Sequence, residues 1–235
     1  MRYLICACVM GAVFAGSCYA NGLSTTPQSR MGDAGWKKRF EERKELAEKG
    51  ESQYLFMGDS ITHAWDGKTD KYFSEMKIAN IAISGDRTEQ TLWIIDNLDW
   101  KKVAPKVIML MVGTNNTGHR NREQESPTDT FNGISAVIKN LREKTPDTKI
   151  LLLAIFPRGE TAGDQARVRN STVNATIPTL ADNQHVFFMD IGARFLAPDG
   201  ATLSKDIAPD LLHLSEKGYT IWAEAVKAKL EELAK

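Results

Sequence analysis

Four short segments carry residue types that together could move an acyl group. Ser60 stands in Gly58-Asp59-Ser60-Ile61-Thr62, directly after the apolar stretch from Tyr54 to Met57. A serine that follows a strand and opens a helix has its hydroxyl at the sheet edge and its backbone N–H at the positive helix start. Gly85, in Ser84-Gly85-Asp86, has no Cβ, so its N–H can approach a ligand closely. Asn115, in Gly113-Thr114-Asn115-Asn116, can bring a side-chain NH2 to the same cleft. Asp210 and His213 sit in Asp210-Leu211-Leu212-His213, just before the last helical pattern.

Each piece alone is weak, because Gly-Asp-Ser, Gly-Thr-Asn-Asn and Asp-Leu-Leu-His all read equally as loop chemistry. Together they supply the parts that acyl transfer needs. A serine is a poor nucleophile until a base removes its proton, and His213 can be that base. Asp210 can fix the imidazole tautomer and stabilise the imidazolium. The Ser60 N–H, the Gly85 N–H and the Asn115 amide can donate to the developing oxyanion, where one donor is worth about 3 kcal/mol of barrier. Nothing in this set requires a metal or an organic cofactor.

These residues need strand ends to bring them together, and the pattern provides them. The spacing predicts helices over Asp33–Lys49, Thr88–Trp100, Pro127–Lys144, Gly163–Leu180 and Ser215–Ala234. It predicts strands over Tyr54–Met57, Lys77–Ile83, Val107–Val112, Lys149–Phe156 and Val186–Asp190. Alternating strands and helices argue for one doubly wound parallel sheet with helices on both faces, whose sites form beyond the carboxyl ends of the strands.

The chain has 235 residues, with 30 basic and 30 acidic side chains. That balance gives no steering toward nucleic acid or other polyanions. Arg2, the apolar run from Leu4 to Ala15, and Ser17-Cys18-Tyr19-Ala20 have the order of a signal peptide over residues 1–20, too short to be a membrane span. All three cysteines lie in it, so a mature chain starting near Asn21 has no disulfide and no cysteine nucleophile. Ala15-Gly16-Ser17-Cys18 also leaves open a lipobox, with Cys18 lipidated and retained. The expected destination is secretion or the periplasm. Residues 21–32 are polar and read as a linker, and 33–235 as a single domain.

The ordered set of segments resembles the SGNH, or GDSL-type, hydrolase family. The blocks that carry the resemblance are Gly58–Thr62, Asn80–Thr88 around Gly85, Gly113–Asn116 and Asp210–His213. Within the family the chain is most similar to the platelet-activating-factor acetylhydrolase catalytic-subunit type, through Leu92-Trp93, Pro105–Asn116, Phe156–Glu160 and Leu211–Gly218. The resemblance implies a flavodoxin-like three-layer α/β/α sandwich with a five-stranded parallel sheet. It implies Ser60 as nucleophile, Gly85 and Asn115 completing the oxyanion hole, and Asp210 and His213 completing the triad. A homodimer is also implied by it alone. The second block departs from the subfamily's usual Gly-Ile-Gly-Gly-Asp, reading Ala82-Ile83-Ser84-Gly85-Asp86, which bears on the shape of the acyl pocket.

Other residues are weaker candidates. Asp59 is read mainly as orienting the nucleophile turn, with substrate contact as its second role. His119 and Arg158 are candidate substrate contacts. His63 shares a turn with Ser60 but cannot easily face the same hydroxyl as His213. His185 reads as structural, and four scattered histidines without cysteines make no convincing zinc site. The sequons at Asn115, Asn170 and Asn174 read as chance matches. The resulting expectation is a serine esterase that removes short acyl groups, chiefly acetyl, from carbohydrates or other small alcohols. Two alternatives stay open: a lipid acyl hydrolase, and a non-catalytic glycan- or lipid-binding protein on the same fold.

Overall fold

The computed structural model describes residues 22–118 and 123–235. Residues 1–20, read as a signal peptide, and His119 lie outside the described residues. In chain order the elements are α1 (Ala34–Glu48), β1 (Tyr54–Gly58), α2 (Ser60–His63), α3 (Thr69–Tyr72), β2 (Ile78–Asn80), α4 (Thr88–Asp96), β3 (Val107–Met111) and α5 (Thr114–Thr117). They continue with α6 (Pro127–Lys144), β4 (Lys149–Leu153), α7 (Gln165–Asn174), β5 (Val186–Met189) and α8 (Glu216–Leu233).

All five strands pair in parallel, in the order β2-β1-β3-β4-β5. This is the flavodoxin-like order, which reverses direction between β1 and β3. The expected three-layer sandwich is therefore the observed one.

Period-two alternation splits the strand side chains between two cores. Leu55 and Met57 of β1, Ile108 and Leu110 of β3, and Ile150 and Leu152 of β4 face the core made with α1, α4 and α6. Tyr54 and Phe56, Val107, Met109 and Met111, and Leu151 and Leu153 face the core made with α8. Both faces are covered, which is why these strands read as unbroken apolar runs. Side-chain caps fix the helix starts nearest the cores: Asp33 accepts from Gly35 N–H and Trp36 N–H at α1, and Ser215 from Gly218 N–H at α8.

Several boundaries differ from expectation. β2 ends at Asn80; the Ile81 N–H still reaches the Phe56 carbonyl at 2.9 Å, and the Asn80 side chain then takes the Ala82 N–H as the chain turns away. Ala154, Ile155 and Phe156 stay buried but run past the end of β4. The helix expected to reach Trp100 stops at Asp96, where the Asn97 amide turns back to the Trp93 carbonyl. The helix expected to reach Leu180 ends at Asn174, and the stretch around Pro178 forms a 3₁₀ turn over Ile177–Leu180. Residues 22–32 are packed on the body, not free. Ser24 is fully buried, and its carbonyl accepts a 2.8 Å bond from Thr88 Oγ1.

Candidate active site

β1 delivers Ser60 through a turn that admits only glycine at its start. A Cβ on Gly58 would sit 2.3 Å from the Met111 carbonyl oxygen and 2.5 Å from Thr62 Oγ1. Asp59 then caps the one-turn helix α2 by accepting the Ile61 N–H at 2.9 Å. From the opposite side, Tyr219 Oη of α8 donates to the Ile61 carbonyl at 2.6 Å. The turn rests on an aromatic cluster in which Trp65 meets Tyr219 and Trp222 edge-on.

Asp210 and His213 come from the loop before α8. Ser60 Oγ lies 2.8 Å from His213 Nε2, and His213 Nδ1 lies 2.7 Å from Asp210 Oδ2. The other carboxylate oxygen accepts the backbone N–H groups of Leu212 and His213. Burial acts to raise the pKa of Asp210. The bonds from the His213 ring and from backbone N–H groups outweigh it and hold this carboxyl below its usual value. An ionised Asp210 requires Nδ1 to carry the imidazole proton, which leaves Nε2 as an acceptor for the Ser60 hydroxyl.

Ser60, Gly85, Asn115, Asp210 and His213 all line one cleft of about 960 Å³. Gly85 adopts φ +78°, a conformation that glycine takes without strain. Asn115 Nδ2 donates to the Asp86 carbonyl at 2.9 Å, which ties its amide to the Gly85 loop. The amide has two hydrogens, so one bond of this kind orients it without exhausting it. Such an array can activate a hydroxyl and bind an oxyanion beside it.

Arg158 lines the cleft, and its guanidinium donates to the Thr114 and Gly118 carbonyls. Asp59 does not make the substrate contact considered for it. It is 1% exposed, and its Oδ2 atom has no hydrogen-bond partner among the described residues. Burial pushes its carboxyl up to about 6. No group of three or more His, Cys, Asp or Glu side chains placed to hold a metal ion occurs among the described residues.

The pattern of the GDSL-like Lipase/Acylhydrolase family matches residues 56–221, spanning the Ser60 turn, the Gly85 and Asn115 loops and the Asp210–His213 pair. The chain belongs to this family. Its membership makes it an acylhydrolase, an enzyme of carboxylic esters, and the alternative of a non-catalytic binding protein falls away. The human platelet-activating factor acetylhydrolase IB subunit alpha1 is 30% identical over 216 residues, covering 89% of this chain and 88% of the relative. The mouse alpha2 subunit is 34% identical over 175 residues, covering 72% of each. Among solved structures, a GDSL-like lipase from Bacteroides thetaiotaomicron superposes with a TM-score of 0.70 at 22% identity, covering 85% of this chain and 98% of that one. An acetylxylan esterase from Geobacillus stearothermophilus superposes with a TM-score of 0.58 at 17% identity, covering 76% and 94%.

The acylhydrolase also has a polar layer under its cleft that spacing did not reveal. Asn116 is fully buried, with Oδ1 accepting the Thr88 N–H and Nδ2 donating to Thr88 Oγ1 and Glu125 Oε2. The buried Arg87 donates to the Asn116 and Glu123 carbonyls and lies within ion-pair distance of Glu89 and Glu125. This network ties the Gly85 loop to the Asn115 loop. The only advance signal was an unusually polar first turn in a helix that had to be buried. Asn170 is likewise buried, donating to Phe156 O and Thr114 Oγ1, and Asn174 bonds the Ile155 backbone. Both sequon side chains are thus committed to structure.

Among the described residues, no helix is long and apolar enough to cross a membrane.

Proposed function

We propose that this acylhydrolase is a serine esterase in which Ser60, His213 and Asp210 do the covalent chemistry on short acyl esters, chiefly acetyl, of polar alcohols. The observation that carries the assignment is the continuous chain Ser60 Oγ–His213 Nε2 at 2.8 Å and His213 Nδ1–Asp210 Oδ2 at 2.7 Å, opening on the cleft. Ser60 Oγ attacks the ester carbonyl carbon while its proton passes to His213 Nε2. The carbonyl oxygen takes the negative charge beside the Ser60 N–H, the Gly85 N–H and the Asn115 amide. The C–O bond then breaks, and His213 returns the proton to the departing alcohol. Water gives a proton to His213 and attacks the acyl carbon, and collapse of that intermediate frees the acid and restores Ser60.

Two features support the short acyl group and the polar alcohol. The aliphatic side chains among the described lining residues are Ala166, Leu211 and Leu212, and the remainder is polar, charged or glycine. A long acyl chain would gain little from burial in such a cleft. The relatives at 30% and 34% identity are named acetylhydrolases. Carbohydrate or other small alcohol esters fit this lining, and the lipid acyl alternative fits it less well. Export by residues 1–20 and a homodimer complete the proposal, the first on the order of residues in that segment and the second on the family resemblance.

Hydrolysis of p-nitrophenyl acetate, butyrate and octanoate, run beside Ser60→Ala, tests the reading. Acetate is expected to be fastest and Ser60→Ala silent. Fastest turnover of octanoate would move the assignment to lipid esters. A folded Ser60→Ala as active as the parent would remove Ser60 from the chemistry.

A further inference from the structure

We propose that His63 is a positioning residue that joins the nucleophile turn to the oxyanion loop and releases that loop when it is protonated. The inference rests on the reading of Ser60 and Gly85 given above. His63 closes the same one-turn helix that Ser60 opens. Its ring reaches across to the residue before Gly85, with Nδ1 3.2 Å from the Ser84 backbone nitrogen and 3.0 Å from Ser84 Oγ. A backbone N–H can only donate, so the shorter Ser84 contact makes Nδ1 the acceptor and puts the proton of the neutral ring on Nε2; Arg39 Nη1, 3.4 Å from Nε2, then meets an N–H and makes no hydrogen bond with it. Nε2 lies 3.4 Å from Asp66 Oδ2, an acceptor suited to that proton.

Ser84 is held from its other side as well, because Arg30 donates to its carbonyl at 2.9 Å. The Ser84-Gly85 segment is therefore fixed through its N–H and hydroxyl by His63 and through its C=O by Arg30. The Ser84 side chain supplies the hydroxyl half of the contact. The two candidate backbone donors to the oxyanion, Ser60 N–H and Gly85 N–H, belong to the two segments that His63 connects. Small misplacements of such donors are costly, because they act on charge that exists only in the transition state.

Protonation removes the acceptor. A ring bearing hydrogen on Nδ1 can still donate to Ser84 Oγ, but it cannot take the Ser84 N–H. Three charged groups face the ring: Asp66 from the turn after α2, and Arg39 and Arg43 from α1. Asp66 is itself ion-paired to Arg43 and bonded by Asn80 Nδ2. Burial, acting with the two arginines, lowers the His63 pKa against the pull of Asp66, so the ring is neutral and the bond intact in neutral solution.

The test combines kinetics with backbone amide NMR on the enzyme with residues 21–235 intact. His63→Leu removes the acceptor, and His63→Asn places a non-titrating carbonyl oxygen near the position of Nδ1. His63→Leu is expected to lower kcat on p-nitrophenyl acetate by about tenfold or more with KM changed by less than about threefold, as for a contact felt in the transition state. His63→Asn is expected to recover most of that loss. In the parent, the Ser84 and Gly85 amide resonances should titrate with the His63 ring, and in His63→Asn that titration should vanish. If His63→Leu keeps the parent kcat while Ser60→Ala is silent, the positioning role is wrong and the serine mechanism stands. If His63→Leu does not fold, the parent titration decides: amides of Ser84 and Gly85 that ignore the His63 ring would overturn the proposal.

Discussion

Asp210 holds His213 at two points, taking the ring Nδ1–H on Oδ2 at 2.7 Å and the backbone N–H on Oδ1 at 2.7 Å. One carboxylate thus sets both the tautomer of the proposed base and the path of the loop that carries it. The two tasks separate in Asp210→Asn. The amide oxygen can keep the backbone bonds, but its NH2 would face Nδ1 and favour the tautomer with hydrogen on Nε2, which cannot accept the Ser60 proton. A fall in kcat of about 10² to 10⁴ is expected, with little change in melting temperature. Steady-state kinetics beside a thermal melt measures both, and parental turnover in Asp210→Asn would show that His213 does not depend on this carboxylate.

Asp59 predicts a pH-dependent stability. Its carboxyl is lifted from 3.8 to about 6 by burial. Because the folded-state value is the higher one, the contribution of this group is fully present below 3.8 and is lost as pH rises through about 6. A lift of this size corresponds to a loss on the order of 3 kcal/mol at neutral pH. In Asp59→Asn the dependence should disappear. Urea unfolding of both proteins at about pH 4 and pH 8 gives the readout, which is the change in their stability difference between the two conditions. A constant difference would mean that Asp59 titrates alike in the folded and unfolded chains.

The segment before α1 is expected to matter for turnover. Arg30 donates to the Ser84 carbonyl and to Asp86 Oδ1, and also pairs with Asp33. Its side chain is 24% exposed but that of Asp86 is 0% exposed, so Arg30→Ala takes a cation from a buried carboxylate and should cost on the order of 2 kcal/mol, or roughly 4–8 °C of melting temperature. The loss in kcat should be larger than the loss in stability suggests, because the bond to Ser84 supports the loop of Gly85. Kinetics below the melting transition separates the two effects, and a kcat equal to the parent's would confine Arg30 to a stabilising role.

The parts of the site that the sequence exposed were those carried by local order. Ser60, Gly85 and Asn115 each follow a strand, and a parallel sheet collects its strand ends on one edge, so their meeting could be read before the structure. His213 and Asp210 could be read because they lie in one loop, three residues apart. What stayed hidden depends on pairings between distant loops. Arg87 meets Glu125, Asn116 meets Thr88, and His63 meets Ser84, and no spacing encodes these contacts. The same reason explains the packed segment 22–32. Its composition is that of a linker, and only the buried Ser24 and the bond from Thr88 reveal that it belongs to the body. Ile83 and Phe156 lie past the ends of β2 and β4 because the apolar runs there continue into buried loops.

The central claim is that Ser60 carries the acyl group. Reaction with a fluorophosphonate, followed by intact-mass measurement and peptide mapping, tests it most directly, since the reagent captures an activated serine as a stable phosphonyl ester. One adduct per chain is predicted, located on Ser60, absent in Ser60→Ala and formed in step with loss of esterase activity. Full loss of activity with the adduct on another residue, or a Ser60 that stays unmodified while hydrolysis continues, would contradict the account.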